Sequence, residues 1–172
     1  MTQRELSERL VALCRLRGIT LGTAESCTGG LIAKCVTDIA GSSAVIAGGF
    51  VTYTNEIKTR LLGVDPCIFK THTEVSHACA RAMAAGARDA LGTTLAVSAT
   101  GYAGPGGGSE QDPVGTVYLG IASPLGVRSE RFSAPADADR DRVRTLATCR
   151  ALALLWEEAD RLPYTLTDEG AL

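Results

Sequence analysis

The feature that most restricts this chain is a repeated exchange between two hydrophobic rhythms, with glycine at many of the changes. Thr2-Gln3-Arg4-Glu5 has the form of a capping box, and Leu6, Leu10, Val11 and Cys14 follow at helical spacing. A first helix is therefore predicted over 2–17, stopping at Gly18. Residues 19–23 read as a short strand. A second helix over 31–39 opens at Gly29-Gly30 and closes near Gly41, and 44–53 has the β-branched and aromatic content of a buried strand. Asn55 is the predicted cap of a short helix ending at Gly63. Ser76 is placed to cap an alanine-rich helix through Leu91, with Gly92 as its left-handed terminator. Strands follow over 94–99, 116–122 and 127–132, the last two joined as a hairpin through Ser123-Pro124-Leu125-Gly126. Asp139 opens a closing helix that runs to Ala159.

Helices alternating with strands, then a hairpin and a last helix, predict an α/β chain: a three-layer α/β/α sandwich with a mixed sheet of about five strands. At 172 residues and 45% hydrophobic, one compact domain over 1–162 accounts for the chain, with 163–172 as a loose tail. A net charge of −2 without a long block of Lys or Arg removes the footprint of a nucleic-acid clamp. No apolar run reaches the roughly 18 residues of a membrane span, and the N-terminus lacks a leader pattern. The expected partner is a small soluble molecule, and the expected location is the cytoplasm. Six cysteines without C-x-x-C spacing read as reduced packing residues, and the two histidines, His72 and His77, fit neither a zinc pattern nor a Ser-His-Asp triad.

In open α/β sheets ligands sit where strands turn into helices at their carboxyl ends, and three polar segments are candidates for that rim. Ser26, Thr28, Gly29 and Gly30 could bring backbone N–H groups to a phosphate or carboxylate, or Ser26 or Thr28 could simply cap the helix. Ser42 and Ser43 precede Tyr53 and Lys58. A serine attacks only when something removes its proton, and a desolvated lysine, or a tyrosine linked to one, could do so. Equally, the serines could turn the chain and Lys58 could be a solvated helical residue. In the third segment, Thr100, Gly101 and Gly104 leave a buried strand into a loop dense in glycine, suited to an anion nest or an oxyanion site. That loop is neither a Walker A sequence nor a dinucleotide fingerprint. Cys27 ranks as a neighbour rather than the attacker. Arg140 can begin the last helix and reach a phosphate, or be balanced by the aspartates beside it.

Taken in order, Ala24-Glu25-Ser26-Cys27-Thr28-Gly29-Gly30, Asp38-Ile39-Ala40-Gly41-Ser42-Ser43, the stretch from Gly49 to Lys58, and Thr100-Gly101-Tyr102-Ala103-Gly104-Pro105-Gly106-Gly107 with Pro113-Val114-Gly115-Thr116-Val117 closely resemble the CinA C-terminal domain family. The resemblance runs from about residue 4 to 160. It implies an α/β/α homodimer with no metal or organic cofactor, in its stand-alone form, that hydrolyses the carboxamide of nicotinamide mononucleotide in pyridine-nucleotide salvage. By the same resemblance Ser43 would be the nucleophile, Tyr53 and Lys58 its activating pair, Thr100 a polar contact and Arg140 a substrate anchor. Ser26, Thr28 and the Gly29-Gly30 amides would floor the nucleotide pocket. Tyr102, where the family usually carries an aliphatic residue, and Ala134-Pro135-Ala136 depart from the pattern. A non-catalytic binding module and a hydrolase of another small amide are the rival readings.

Overall fold

In a computed structural model of the chain, which describes residues 1–163, the caps close most helices where the sequence places them. Thr2 makes both halves of its capping box for α1 (Gln3–Arg17), and Gly18 ends it in the left-handed conformation. β1 (Leu21–Glu25) leads to α2 (Leu31–Thr37). A single 3-10 turn (Ser42–Ala44) then precedes β2 (Ile46–Val51), so the predicted strand over 44–53 is shorter at both ends. α3 (Asn55–Leu62) is capped by the Thr54 hydroxyl, which accepts from the Ile57 N–H at 3.3 Å; Asn55 is its first helical residue rather than its cap. α4 (Pro66–Thr71) was not expected from periodicity. α5 (His77–Leu91) is capped by Ser76 and ended by left-handed Gly92, as predicted. β3 (Leu95–Gly101), β4 (Thr116–Ser123) and β5 (Gly126–Ser133) precede α6 (Arg140–Arg161), which Asp139 caps. Residues 164–172 lie outside the described chain, and with them all but Pro163 of the predicted tail.

The five strands form one sheet in the order β2-β1-β3-β4-β5. β1 pairs in parallel with β2 and β3, while β3-β4-β5 run antiparallel. Every residue of β1 and β4 is buried, as expected for central strands covered on both faces, whereas edge strands β2 and β5 are half-exposed. α1, α2 and α6 cover one face around Leu10, Ile32, Leu152 and Leu155; α5, with α3 and α4 against it, covers the other around Met83, Leu62 and Ala96. This is the predicted three-layer α/β/α sandwich with a mixed sheet.

Two close approaches set the height of α5. A Cβ on Gly86 would collide with the backbone carbonyl of Leu62 in α3, and one on Gly120 with the Ala80 carbonyl of α5. That same Ala80 carbonyl accepts the buried Ser98 hydroxyl of β3 at 2.6 Å. Main chain therefore rests on main chain across the α3, α5 and sheet layers.

At the other face, Glu25 closes β1 with no exposed surface. Gly29 and Gly30, at φ 62° and 92°, turn the chain so that the first amides of α2 face back toward it. Its carboxylate accepts from the N–H groups of Gly30 (3.0 Å), Ile32 (3.0 Å) and Ala33 (2.9 Å). A buried anion is thereby satisfied by the positive end of a helix.

Glu25→Ala should lower unfolding stability by about 3 kcal/mol, because three amides lose their acceptor together, and Glu25→Gln by less; urea denaturation measures both. Gly86→Ala gives a test of sign. Helix propensity alone would gain up to about 1 kcal/mol, but the clash with a backbone carbonyl costs about 1–3 kcal/mol. The expected result is a fall of about 4 °C in Tm, read by thermal unfolding.

Candidate functional site

The parallel strands bring three chain segments to one edge. β1 ends at Glu25, β2 at Val51 and β3 at Gly101, so Ser26, Thr52-Tyr53 and the glycine loop after Gly101 leave the sheet side by side. Pairing continues one residue past β1: the Ser26 N–H donates to the Ala99 carbonyl (2.9 Å), and the Thr52 N–H to the Glu25 carbonyl (2.8 Å). Ser26 is thus held in line with the strand while its side chain enters a cleft of about 210 Å³. Cys27, Tyr53, Lys58, Glu74, Tyr102 and Arg140 are among the residues lining it.

Lys58 comes from α3 and is 1% exposed. Its Nζ donates to the Thr52 carbonyl at 2.9 Å and lies 3.3 Å from Ser26 Oγ. Burial lowers its pKa from the ordinary lysine range, against weaker opposing effects of Cys79, Glu74 and Cys27. The same burial pushes the Cys27 thiol up to about 12. At neutral pH Cys27 is therefore a protonated wall residue.

The mouth of the cleft is tied by Arg140, the first residue of α6. Its Nη1 donates to the Gly104 carbonyl at 2.6 Å and its Nη2 to the Tyr53 hydroxyl at 3.1 Å. Thr100 is buried behind the cleft, its hydroxyl donating to the Glu74 carbonyl at 2.7 Å. Gly101 has no room for a side chain, since a Cβ would meet the Thr116 carbonyl. Among the predicted site residues, Ser26, Tyr53, Lys58, Thr100, Gly101, Gly104 and Arg140 come together here.

Four do not. Ser43 is exposed in the 3-10 turn that precedes β2, whereas the cleft lies beyond the end of that strand. Six residues at about 3.3 Å each put roughly 20 Å between the two ends, so Ser26 and not Ser43 is the hydroxyl beside Lys58. Thr28, Gly29 and Gly30 are absent from the cleft wall; of the amides expected to hold a phosphate or ribose, that of Gly29 donates to the Ser26 carbonyl at 3.1 Å and that of Gly30 to Glu25, which supplies the cap that the alternative reading gave to Ser26 or Thr28. The Tyr53 hydroxyl pairs with Arg140 rather than Lys58. Conversely, Glu74 in the cleft wall was not anticipated, because nothing in Thr73-Glu74-Val75 distinguishes it from a surface turn before the Ser76 cap.

Known proteins share both the sequence and the fold of this chain. A "CinA-like protein" of Geobacter sp. (strain M21) is 52% identical over 150 residues, covering 87% of this chain and 36% of that protein. The chain thus spans about a third of the length of such relatives. "Nicotinamide-nucleotide amidohydrolase PncC" of Escherichia coli (strain K12) is 48% identical over 157 residues, covering 90% of this chain and 93% of that protein. The crystal structure of the competence/damage inducible protein CihA from Agrobacterium tumefaciens superposes with a TM-score of 0.88 at 41% identity, covering 92% of this chain and 96% of that one. The CinA C-terminal domain matches residues 3–159, and the chain belongs to that family.

Proposed function

We propose that the chain is a nicotinamide-nucleotide amidohydrolase, converting nicotinamide mononucleotide and water to nicotinate mononucleotide and ammonia in pyridine-nucleotide salvage. The observation that carries this reading is a buried amine 3.3 Å from a cleft hydroxyl, Lys58 beside Ser26, in a chain similar over most of its length to proteins so named. Burial holds a fraction of Lys58 neutral, and a neutral amine accepts the Ser26 proton as Oγ attacks the carboxamide carbon. The Cys27 amide, next in the chain, is the donor assigned to the developing oxyanion. Collapse breaks the C–N bond, and the lysine returns its proton to the departing ammonia. Water, deprotonated by the same amine, then opens the Ser26 ester and restores the hydroxyl. Arg140, an exposed guanidinium at the mouth, supplies the charge complement of the nucleotide phosphate.

Ser26→Ala should cut ammonia release from nicotinamide mononucleotide by about a thousand-fold while nucleotide binding changes only a few-fold. Ser43→Ala should retain activity within a few-fold; the reverse ranking of these two variants would overturn the dyad.

The pH profile follows from the direction of the Lys58 shift. The active form is the deprotonated amine, so kcat/KM should rise with pH through a midpoint below the ordinary lysine range and level off above it. Lys58→Arg, which keeps the charge and loses the titration, should be inactive across the profile.

A further inference from the structure

Glu74 works against the chemistry just described. Its negative charge favours the protonated form of Lys58, yet it stands in the wall of the same cleft, half-buried. No hydrogen bond or ion pair engages its carboxylate among the described residues, while its backbone carbonyl is fixed by the Thr100 hydroxyl at 2.7 Å. The chain also strains to present it: Thr73, a β-branched residue, sits at φ 66°, held by the Ser76 hydroxyl on its carbonyl at 2.9 Å and by its own hydroxyl on the Val75 carbonyl at 3.2 Å. Tyr102 shares the wall, packed against Gly107, where a Cβ would come within 3.1 Å of the ring.

An unengaged carboxylate and a phenol ring in one wall, with a guanidinium at the mouth, make a cleft of two polarities. Resting on the function proposed above, we infer that Glu74 and Tyr102 form a subsite for a cationic aromatic ring, so that the cleft selects N-substituted pyridinium carboxamides over uncharged amides of the same shape. The carboxylate meets the delocalised ring charge and the phenol offers its π face, while Arg140 takes the anionic end. Such a ligand also removes the conflict in the free site. A cation seated against Glu74 offsets its field at Lys58 and favours the neutral amine that attack requires.

The test uses nicotinamide mononucleotide and its reduced form, whose dihydropyridine ring is uncharged but carries the same carboxamide, ribose and phosphate. Calorimetric titration of the full chain carrying Ser26→Ala, which binds without turnover, should find the oxidised nucleotide bound about ten-fold more tightly. Glu74→Gln should bring that ratio to within about two-fold by weakening only the oxidised form, and Glu74→Asp should retain a preference. A loss equal for both nucleotides, an unchanged ratio when Glu74→Gln is added, or no preference while Glu74 is present would overturn the subsite. Ammonia release reads the proposed activity separately. A chain that shows the charge preference but releases no ammonia keeps the subsite and loses the activity; one that releases ammonia with a ratio indifferent to Glu74 keeps the activity and loses the subsite.

Discussion

The carboxylate of Glu25 holds the end of β1 and the start of α2 together. It ends a fully buried strand and accepts three amides of the helix that follows, so strand and helix meet through a charge with no exposed surface. A buried anion is tolerable only when such donors are fixed around it. Satisfying them demands two successive left-handed glycines, and that turn leaves Ser26 projecting from the strand end toward the sheet edge. The helix N-terminus expected to hold a ligand anion is consumed within the fold, and the exposed cation at the cleft is instead a side chain from α6.

The sheet divides labour between its parallel and antiparallel parts. β1 and β2 deliver the hydroxyl and, through α3, the amine, both held by strand-like pairing that outlasts the strands themselves. β3 and the loop toward β4 deliver the opposite wall, including Tyr102 and the carbonyl to which Arg140 is tied. Ser26, Lys58 and Tyr102 follow the ends of three neighbouring strands, while Glu74 and Arg140 come to the same edge from the starts of α5 and α6.

What was legible in the sequence was local. Thr2, Ser76 and Asp139 cap helices through bonds to residues three positions on, and left-handed Gly18, Gly63 and Gly92 end α1, α3 and α5, so residue type and spacing were enough. Thr54 and Asn55 are both capable caps, and the one-residue difference turned on geometry invisible in the chain. α4 is too short to show a period, although Asp65 followed by Pro66 was its available signal. The choice between Ser26 and Ser43 was topological. Both are serines beside apolar runs, but one follows its strand and the other precedes it, and only the carboxyl ends of β1, β2 and β3 line the cleft. Applying that rule to each serine would have separated them from sequence alone. Glu74 had no such signal, since its place depends on how α5 lies across the sheet.

That placement of α5 reaches further than its own layer. Where Gly120 meets the Ala80 carbonyl and Gly86 meets Leu62, the interlayer spacing is dictated by peptide groups, which cannot shrink or swell as side chains do. Leu62 terminates the helix that bears Lys58, and Ala80 belongs to the helix that opens just after Glu74. The height at which α3 carries Lys58 over the sheet is consequently gauged by one glycine of α5 and one of β4, a dimension set by main chain rather than by side-chain packing.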